Sequence, residues 1–100
     1  MQFMVTGYDG TDPGALARRL AVREAHLKLG KEMHDAGKWL YAAGILNEAG
    51  TLVGSLIICD FPSREELEQQ WLEKEPYFIG RVWQKVDVQR VQVAPFCAAK

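Results

Sequence analysis

The sequence predicts an α+β fold in which four strands form one antiparallel sheet and two helices cover one of its faces. Three observations support this prediction: short apolar runs typical of strands, a long amphipathic segment typical of a helix, and turn or cap signals between them. Together they give the order strand, helix, strand, strand, helix, strand. With 100 residues, the chain is expected to form a single domain over residues 1–100.

The first strand and the first helix are separated by turn-forming residues. In residues Met1–Tyr8, Phe3 and Val5 fall on one side of a strand and Met4 and Thr6 on the other, which suits a first strand. Asp12 is a favourable N-cap for a helix over Pro13–Asp35. Pro13 suits the first helical position, because the N–H that proline lacks would have no partner in the helix there. Gly37 is expected to end this helix, and Gly30 to weaken it.

A hairpin and a second helix follow. The apolar runs Trp39–Leu46 and Thr51–Asp60 are separated by Asn47–Gly50, a sequence typical of a hairpin turn. Ser63 and Glu66 have the spacing of a capping box, in which each side chain accepts from a backbone N–H of the first turn. The second helix is therefore expected to begin at this pair.

The second helix should end near Lys74, because Pro76 disfavours the helical conformation at the residue before it. A turn over Pro76–Gly80 then leads to a last strand over Arg81–Val93. The valines of this strand change parity near Gln89–Arg90, which indicates either a β-bulge or a break between two strands.

This element order is the βαββαβ plan of ferredoxin-like folds. Such a sheet has one face that no helix covers, and packing against the sheet of a second subunit would bury it. We therefore expect a homodimer that associates through the sheet faces.

Composition excludes several classes of partner. Twelve Lys and Arg residues against thirteen Asp and Glu give a net charge of −1, and no basic stripe indicates nucleic-acid binding. The longest nearly apolar run, Leu52–Cys59, is too short to span a membrane, which takes about 20 residues. No signal peptide is recognisable at the start, so a cytoplasmic protein is expected, with Cys59 and Cys97 as reduced thiols.

Three cationic or ionisable side chains lie on the apolar arc of the first helix. Arg19, Arg23 and His26, at positions i, i+4 and i+7, share this arc with leucines such as Leu16 and Leu20. Charges turned towards a core need an acceptor. Two answers remain open: an acidic partner inside the protein, or an anionic ligand in a pocket.

Glu75 is the best candidate for an acidic partner. Pro76 holds it in an extended conformation, and a carboxylate beside His26 would orient the imidazole and raise its basicity, as a general base or acid requires. In the alternative interpretation, Glu75 belongs to the solvated acidic face of the second helix. His34 lies near the end of the first helix and is expected to be structural, and its spacing from His26 does not predict a zinc site.

At these residues the chain resembles the YciI-like (YCII-related) family of the dimeric α+β barrel superfamily. The resemblance rests on Arg19-x-x-x-Arg23-x-x-His26-Leu27, Ala43-Gly44-Ile45-Leu46, Gly54-Ser55 and Glu75-Pro76-Tyr77. It implies a His-plus-acid pair in a pocket and activity like that of a relative that dehydrochlorinates an aromatic compound, and it independently implies a homodimer. The family favours aspartate where this chain has Glu75, so one added methylene changes the reach of the carboxylate.

The resemblance assigns His26 and Glu75 as the catalytic pair. Arg19, Arg23, Tyr77 and Gly44 are then expected to bind a small anionic or aromatic substrate. The chain has neither a glycine-rich dinucleotide loop nor a nucleophile elbow, so proton transfer without a cofactor or a metal is expected.

Two other functions remain open at this stage. One is a non-catalytic dimeric module that binds a small ligand or assists a larger enzyme. Alternatively, aromatic side chains surround a flat ligand, although core packing explains them more simply; they are Trp39, Tyr41, Trp71, Tyr77, Phe78 and Trp83.

Overall fold

The computed structural model describes residues 1–98 and contains a four-stranded antiparallel sheet. Its strands are β1 (Gln2–Asp9), β2 (Trp39–Leu46), β3 (Leu52–Asp60) and β4 (Trp83–Val91). They lie side by side in the order β2-β3-β1-β4, with every neighbouring pair antiparallel. The predicted α+β, ferredoxin-like fold class is confirmed.

Five short helices and one 3₁₀ turn connect or follow the strands in residues 1–98. They are α1 (Ala15–Ala21), α2 (Arg23–Asp35), α3 (Arg64–Gln70), the 3₁₀ turn Leu72–Lys74, α4 (Pro76–Ile79) and α5 (Pro95–Ala98).

The predicted single helix over Pro13–Asp35 is two helices, and this part of the prediction is wrong. The backbone leaves helical geometry at Val22, where φ is −119° and ψ is 13°, and the Val22 N–H bonds to the Arg19 carbonyl three residues back. Asp12 is not the N-cap either, because α1 begins at Ala15 and its N-cap is Gly14. The Asp12 carboxylate accepts hydrogen bonds from the Gly14 N–H and from Arg18.

The apolar arc predicted for the first helix is also turned differently. Leu16, Leu20 and Leu27 are exposed, whereas Arg19 and His26 are buried. Arg19 and His26 face the sheet because carboxylates on other elements lie opposite them, whereas Arg23 is exposed. The leucines are left on a solvent-facing flank.

The end of α2 follows the prediction. Gly37 has a φ of +78°, the Gly37 N–H bonds to the His34 carbonyl, and the Lys38 N–H bonds to the Met33 carbonyl. This is the Schellman arrangement, which glycine favours. Gly30 does not interrupt the helix. Glycine is needed at this position because the ring of Trp39 packs against it, and an added β-carbon would be 2.6 Å from that ring.

The second helical region begins as the capping signal predicts. Ser63 Oγ accepts from the Glu66 N–H at 3.1 Å and starts α3. The 3₁₀ turn ends at Lys74, and Glu75 is extended with φ −69° and ψ 120°, as Pro76 requires. The predicted turn after it is instead the short helix α4, for which Glu75 is the N-cap.

The last strand is shorter and more regular than predicted. It pairs with β1 without interruption through Gln89–Arg90, so neither a bulge nor a break occurs there. The register shift lies at its other end, where Tyr8 pairs with Lys85 and Asp9 with Trp83. Val91, which pairs with Gln2, lies on the opposite face of the sheet from Val86 and Val88, and Val93 lies beyond the strand.

The core lies between the helices and one face of the sheet. Phe3 and Val5 of β1 pair with Cys59 and Ile57 of β3, so these four buried side chains share a face. Aromatic and aliphatic groups from the second half of the chain close this core; they are Phe61, Leu67, Trp71, Leu72, Tyr77, Val82 and Trp83. Most of the aromatic residues named from the sequence are therefore core, except Tyr41 and Phe78, which are exposed.

Within residues 1–98, no helix combines the length and the apolar character needed to cross a membrane.

The two thiols should react very differently in the native protein. Burial, with a smaller contribution from Asp60, raises the pKa of Cys59 to about 12, whereas Cys97 is exposed. An acid with a raised pKa stays protonated below that pH, and only thiolates are alkylated. We expect iodoacetamide at pH 8 to modify Cys97 rapidly and Cys59 only after unfolding in guanidinium, as counted by mass spectrometry. Rapid double modification of the folded protein would contradict this packing.

Candidate active site around His26 and Glu75

His26 and Glu75 meet in the interior of the domain. His26 lies in the first turns of α2 and Glu75 caps α4, 49 residues later in the chain. The His26 Nδ1 atom is 2.5 Å from Glu75 Oε1. Glu75 is completely buried and His26 is 8% exposed. The contact anticipated from the sequence is present, while the catalytic roles of the two residues stay predictions.

Local structure fixes the Glu75 carboxylate from several sides. Pro76 sets the extended backbone, and Oε1 accepts from the Tyr77 N–H at 3.1 Å, which is the capping bond of α4. Oε2 accepts from the indole Nε1–H of Trp71 at 2.8 Å. A buried carboxylate without such donors would be strongly destabilising. The side chain thus has one well-defined orientation.

These donors determine which nitrogen of His26 carries the proton. A backbone N–H and an indole N–H can only donate, so the carboxylate acts as acceptor for both. The same acceptor then takes a hydrogen bond from His26 Nδ1–H. In the neutral imidazole, Nε2 is left as the unprotonated nitrogen. Within residues 1–98, Nε2 has no hydrogen-bond partner and is not sealed from solvent.

Tyr77 forms a wall against the imidazole. Its ring stacks on His26 with centroids 3.8 Å apart and an angle of 12° between the planes. Burial raises the pKa of the Tyr77 phenol, although the nearby cations of Arg19 and Arg23 partly oppose this shift. Tyr77 is therefore a neutral phenol at neutral pH, and it prevents the imidazole from rotating out of the plane shared with Glu75.

Arg19 is held by an internal ion pair. Its Nη1 bonds to both carboxylate oxygens of Asp9, at 2.9 and 3.0 Å, and both side chains are almost fully buried. Its Nη2 donates to the Gly54 carbonyl and to Ser55 Oγ. Asp9 therefore neutralises the charge of Arg19, although Arg19 also borders the cavity described below, and its role in binding a substrate stays a prediction. The sequence pattern did not identify Asp9 as the partner of Arg19.

Arg23 differs from Arg19 in its surroundings. It is exposed, and within residues 1–98 it forms no ion pair. It borders the same cavity as His26. Of the two arginines predicted to bind an anion, Arg23 alone presents an uncompensated charge there.

A cavity of about 170 Å³ lies over His26 and the sheet. Gly44 of β2 pairs with Ser55 of β3, and their side of the sheet forms its floor. A β-carbon at Gly44 would be 2.4 Å from Leu52 Cδ2, so glycine allows Leu52 to lie over the strand. The cavity is lined by Arg19, Arg23, His26, Leu27, Ala42, Ala43, Gly44, Leu52, Ser55, Ile57 and Tyr77.

Two other hollows help to define this site. A cavity of about 240 Å³ shares His26, Leu27 and Ala42 with the first, so the imidazole stands between adjoining spaces. A larger groove of about 470 Å³ beside Phe78 and Trp83 does not reach His26. The cavity of about 170 Å³ is the candidate site, because it combines the His26 imidazole with the unpaired charge of Arg23.

His34 takes no part in this arrangement. Its side chain is exposed near the end of α2, with Nδ1 3.5 Å from Asp35 Oδ1. Across residues 1–98, no group of three or more His, Cys, Asp or Glu side chains is placed to hold a metal ion.

Comparison with known proteins agrees with this architecture. The family model described as YCII-related domain matches residues 1–92. Protein YciI of Escherichia coli O6:H1 and Protein YciI of Shigella flexneri are each 33% identical over 94 residues, which cover 88% of this chain and 93% of theirs.

A solved structure has a similar fold. It is the 5-chloro-2-hydroxyhydroquinone dehydrochlorinase TftG from Burkholderia phenoliruptrix AC1100, in complex with 2,5-dihydroxybenzoquinone. Its TM-score with this chain is 0.79 and its sequence identity is 21%, and the match covers 96% of this chain and 98% of TftG. With the family model spanning almost the whole sequence, the chain belongs to the YCII-related family.

Proposed function

We propose that this protein is a small, cofactor-independent enzyme that transfers a proton on a small anionic or aromatic substrate, as an isomerase, a lyase or a dehydrochlorinase does. The observation that supports it most strongly is the His26–Glu75 contact of 2.5 Å, with Glu75 fully buried and Nε2 of His26 free. The carboxylate fixes one ring nitrogen, while the other has no protein partner and His26 borders a cavity that a ligand can enter. This is the arrangement that a general base requires.

The proposed chemistry begins with Nε2 as a general base. It takes a proton from a carbon or hydroxyl of the substrate, and the electron pair stays on the substrate as an enolate or phenolate. Glu75 stabilises the resulting imidazolium through Nδ1–H, as a carboxylate does in other histidine–acid pairs. The imidazolium then returns the proton to another substrate atom or to a leaving group.

The cavity restricts the substrate. A space of about 170 Å³ is close to the roughly 150 Å³ that holds one benzene ring in an engineered protein cavity. Leu27 and Leu52 supply apolar walls and Arg23 supplies a positive charge. A single ring with a negatively charged oxygen substituent fits these properties. The ring compounds named for TftG, a protein with the same fold, belong to this class.

The dyad can be tested by deuterium exchange. Proton transfer is common to all three proposed reaction types, so the enzyme should catalyse exchange from D₂O into a ring substrate such as 5-chloro-2-hydroxyhydroquinone, with chloride release as a second readout. Replacing His26 with Gln should lower the rate about 10²- to 10⁴-fold, the range for a lost general base. Glu75→Gln should lower it less, because the imidazole stays but loses its carboxylate partner.

Circular dichroism should show that both variants fold, and His34→Gln should keep the parental rate. Unchanged exchange in the folded His26 variant would rule out the proposed base. If the parent protein binds the phenol but exchanges no proton, the binding-module interpretation is favoured instead.

The two arginines should separate stability from binding. Arg19→Met leaves Asp9 buried and unpaired, so thermal or urea unfolding should show a loss of about 3–5 kcal/mol. Arg23→Met should leave the unfolding midpoint nearly unchanged and weaken binding of 2,5-dihydroxybenzoquinone, measured by calorimetry. The assignment fails if Arg19→Met is harmless, or if Arg23→Met binds the quinone as well as the parent.

We also propose that the protein is a homodimer in which the uncovered sheet faces pack together. On that face, Leu56 pairs with Thr6 and Ala43, and Ile58 pairs with Met4 and Tyr41. Tyr41 is 69% exposed, and the apolar patch that β1, β2 and β3 form on this face is typical of an interaction surface. The neighbouring strand β4 adds Lys85, Asp87 and Gln89 to the same face. Partner burial would also add core to a chain of only 100 residues.

Sedimentation should therefore give twice the monomer mass of 11.3 kDa for the parent. Leu56→Asp should give a folded monomer, because a carboxylate in the buried centre of the interface is costly to desolvate. Leu20→Asp, on the exposed flank of α1, is the matched control and should stay dimeric. A monomeric parent, or dissociation by the control alone, would contradict the proposed interface.

A further inference from the structure

Ser55 occupies the centre of the cavity floor. It lies in β3 between Gly7 of β1 and Gly44 of β2, with which it pairs directly. It is 3% exposed and borders the cavity together with His26 and Tyr77. Its hydroxyl is the one uncharged side-chain donor on the sheet side of this cavity within residues 1–98.

The hydrogen bonds of Ser55 are all of one kind. Its Oγ is 2.8 Å from Arg19 Nη2 and 3.3 Å from Trp83 Nε1. A guanidinium and an indole N–H can only donate, so Oγ accepts both bonds and both of its lone pairs are used. The hydroxyl proton remains, and within residues 1–98 Ser55 donates to no acceptor.

The surrounding structure keeps Ser55 in this state. Asp9 and the Gly54 carbonyl accept from the other terminal N–H groups of Arg19, which fixes the guanidinium against Oγ, while its Nε–H has no partner within residues 1–98. Trp83 lies flat over Gly7, where an added β-carbon would be 2.3 Å from its ring, and this brings the indole N–H to Ser55. A hydroxyl that accepts from two donors, one of them cationic, becomes a stronger donor itself.

We propose that Ser55 donates this remaining proton to an oxygen atom of the ligand and is a specificity-determining residue for a phenolate, enolate or carboxylate oxygen. The inference rests on the proposed function only in placing the ligand in the same cavity. Arg23 supplies charge at the exposed side, whereas Ser55 supplies a directional bond at the floor. A ligand without an oxygen at that point would leave a buried donor unsatisfied, which disfavours its binding.

The test compares two rings of nearly the same shape by ¹⁹F NMR at pH 8: pentafluorophenolate, which carries a charged oxygen, and hexafluorobenzene, which carries none. The parent protein should prefer the phenolate. Ser55→Ala should reduce this preference about 10- to 100-fold, the value of a hydrogen bond to a charged group. Ser55→Cys keeps a weak donor of similar size, so its preference should lie between those of the parent and Ser55→Ala.

Trp83→Phe is the matched control, because it removes a hydrogen bond from Ser55 but leaves the hydroxyl. It should keep most of the preference for the phenolate, and melting curves should show that each variant is folded. If Ser55→Ala fails to fold, Ser55→Cys carries the test. Absence of a preference in the parent, an unchanged preference in the folded Ser55 variants, or an equal loss in Trp83→Phe would each overturn the inference.

These outcomes can be told apart from those of the dyad test. A Ser55 variant that keeps its preference, together with a His26→Gln variant that loses exchange, removes only the inference about Ser55. The reverse pattern removes the catalytic proposal and leaves Ser55 as a ligand-binding residue.

Discussion

The buried carboxylate of Glu75 is the constraint on which the rest of the site depends. It is completely inaccessible and accepts hydrogen bonds from the Trp71 indole, the Tyr77 backbone and the His26 imidazole. Each donor comes from a different point in the fold: the end of α3, the start of α4 and the first turns of α2. A carboxylate is stable in the interior only with such partners. The same contacts that stabilise the charge therefore also hold the three elements together and orient the imidazole.

Arg19 and Asp9 form a second buried pair, and the two pairs have different consequences. In the Arg19–Asp9 pair, each charge is neutralised by the other, and a further N–H of Arg19 donates to Ser55. The His26–Glu75 pair leaves one ring nitrogen unused. The charges of both buried pairs are thus compensated inside the domain, whereas the second ring nitrogen of His26 is left without a protein partner beside the cavity. The Arg19–Asp9 pair therefore serves to stabilise the fold, whereas the free nitrogen of His26 is available to a ligand.

Local rules were sufficient for part of this structure. Turn residues and caps predicted the element order, and the effect of Pro76 on the preceding residue predicted the extended backbone of Glu75. A helical wheel placed Arg19 and His26 on one arc, but it could not show which part of that arc faces the sheet. The answer depends on the carboxylates of Asp9 and Glu75, which lie on other elements, so Leu16 and Leu20 are exposed although they are apolar. Local rules did not identify Asp9 for a similar reason. The direction of its side chain depends on the register shift at the end of β1, where Asp9 pairs with Trp83.

The row Gly7–Ser55–Gly44, formed by direct pairing across three strands, makes the proposed ligand recognition depend on strand register. Side chains alternate between the two faces of a strand, so a shift of one residue in β2 or β1 would bring Ala43 or Thr6 to the helix-covered face. The recess above Ser55 would then be filled by methyl groups. A partly folded chain with slipped pairing has no place for the ring, and ligand occupancy would report that the sheet had reached its native alignment.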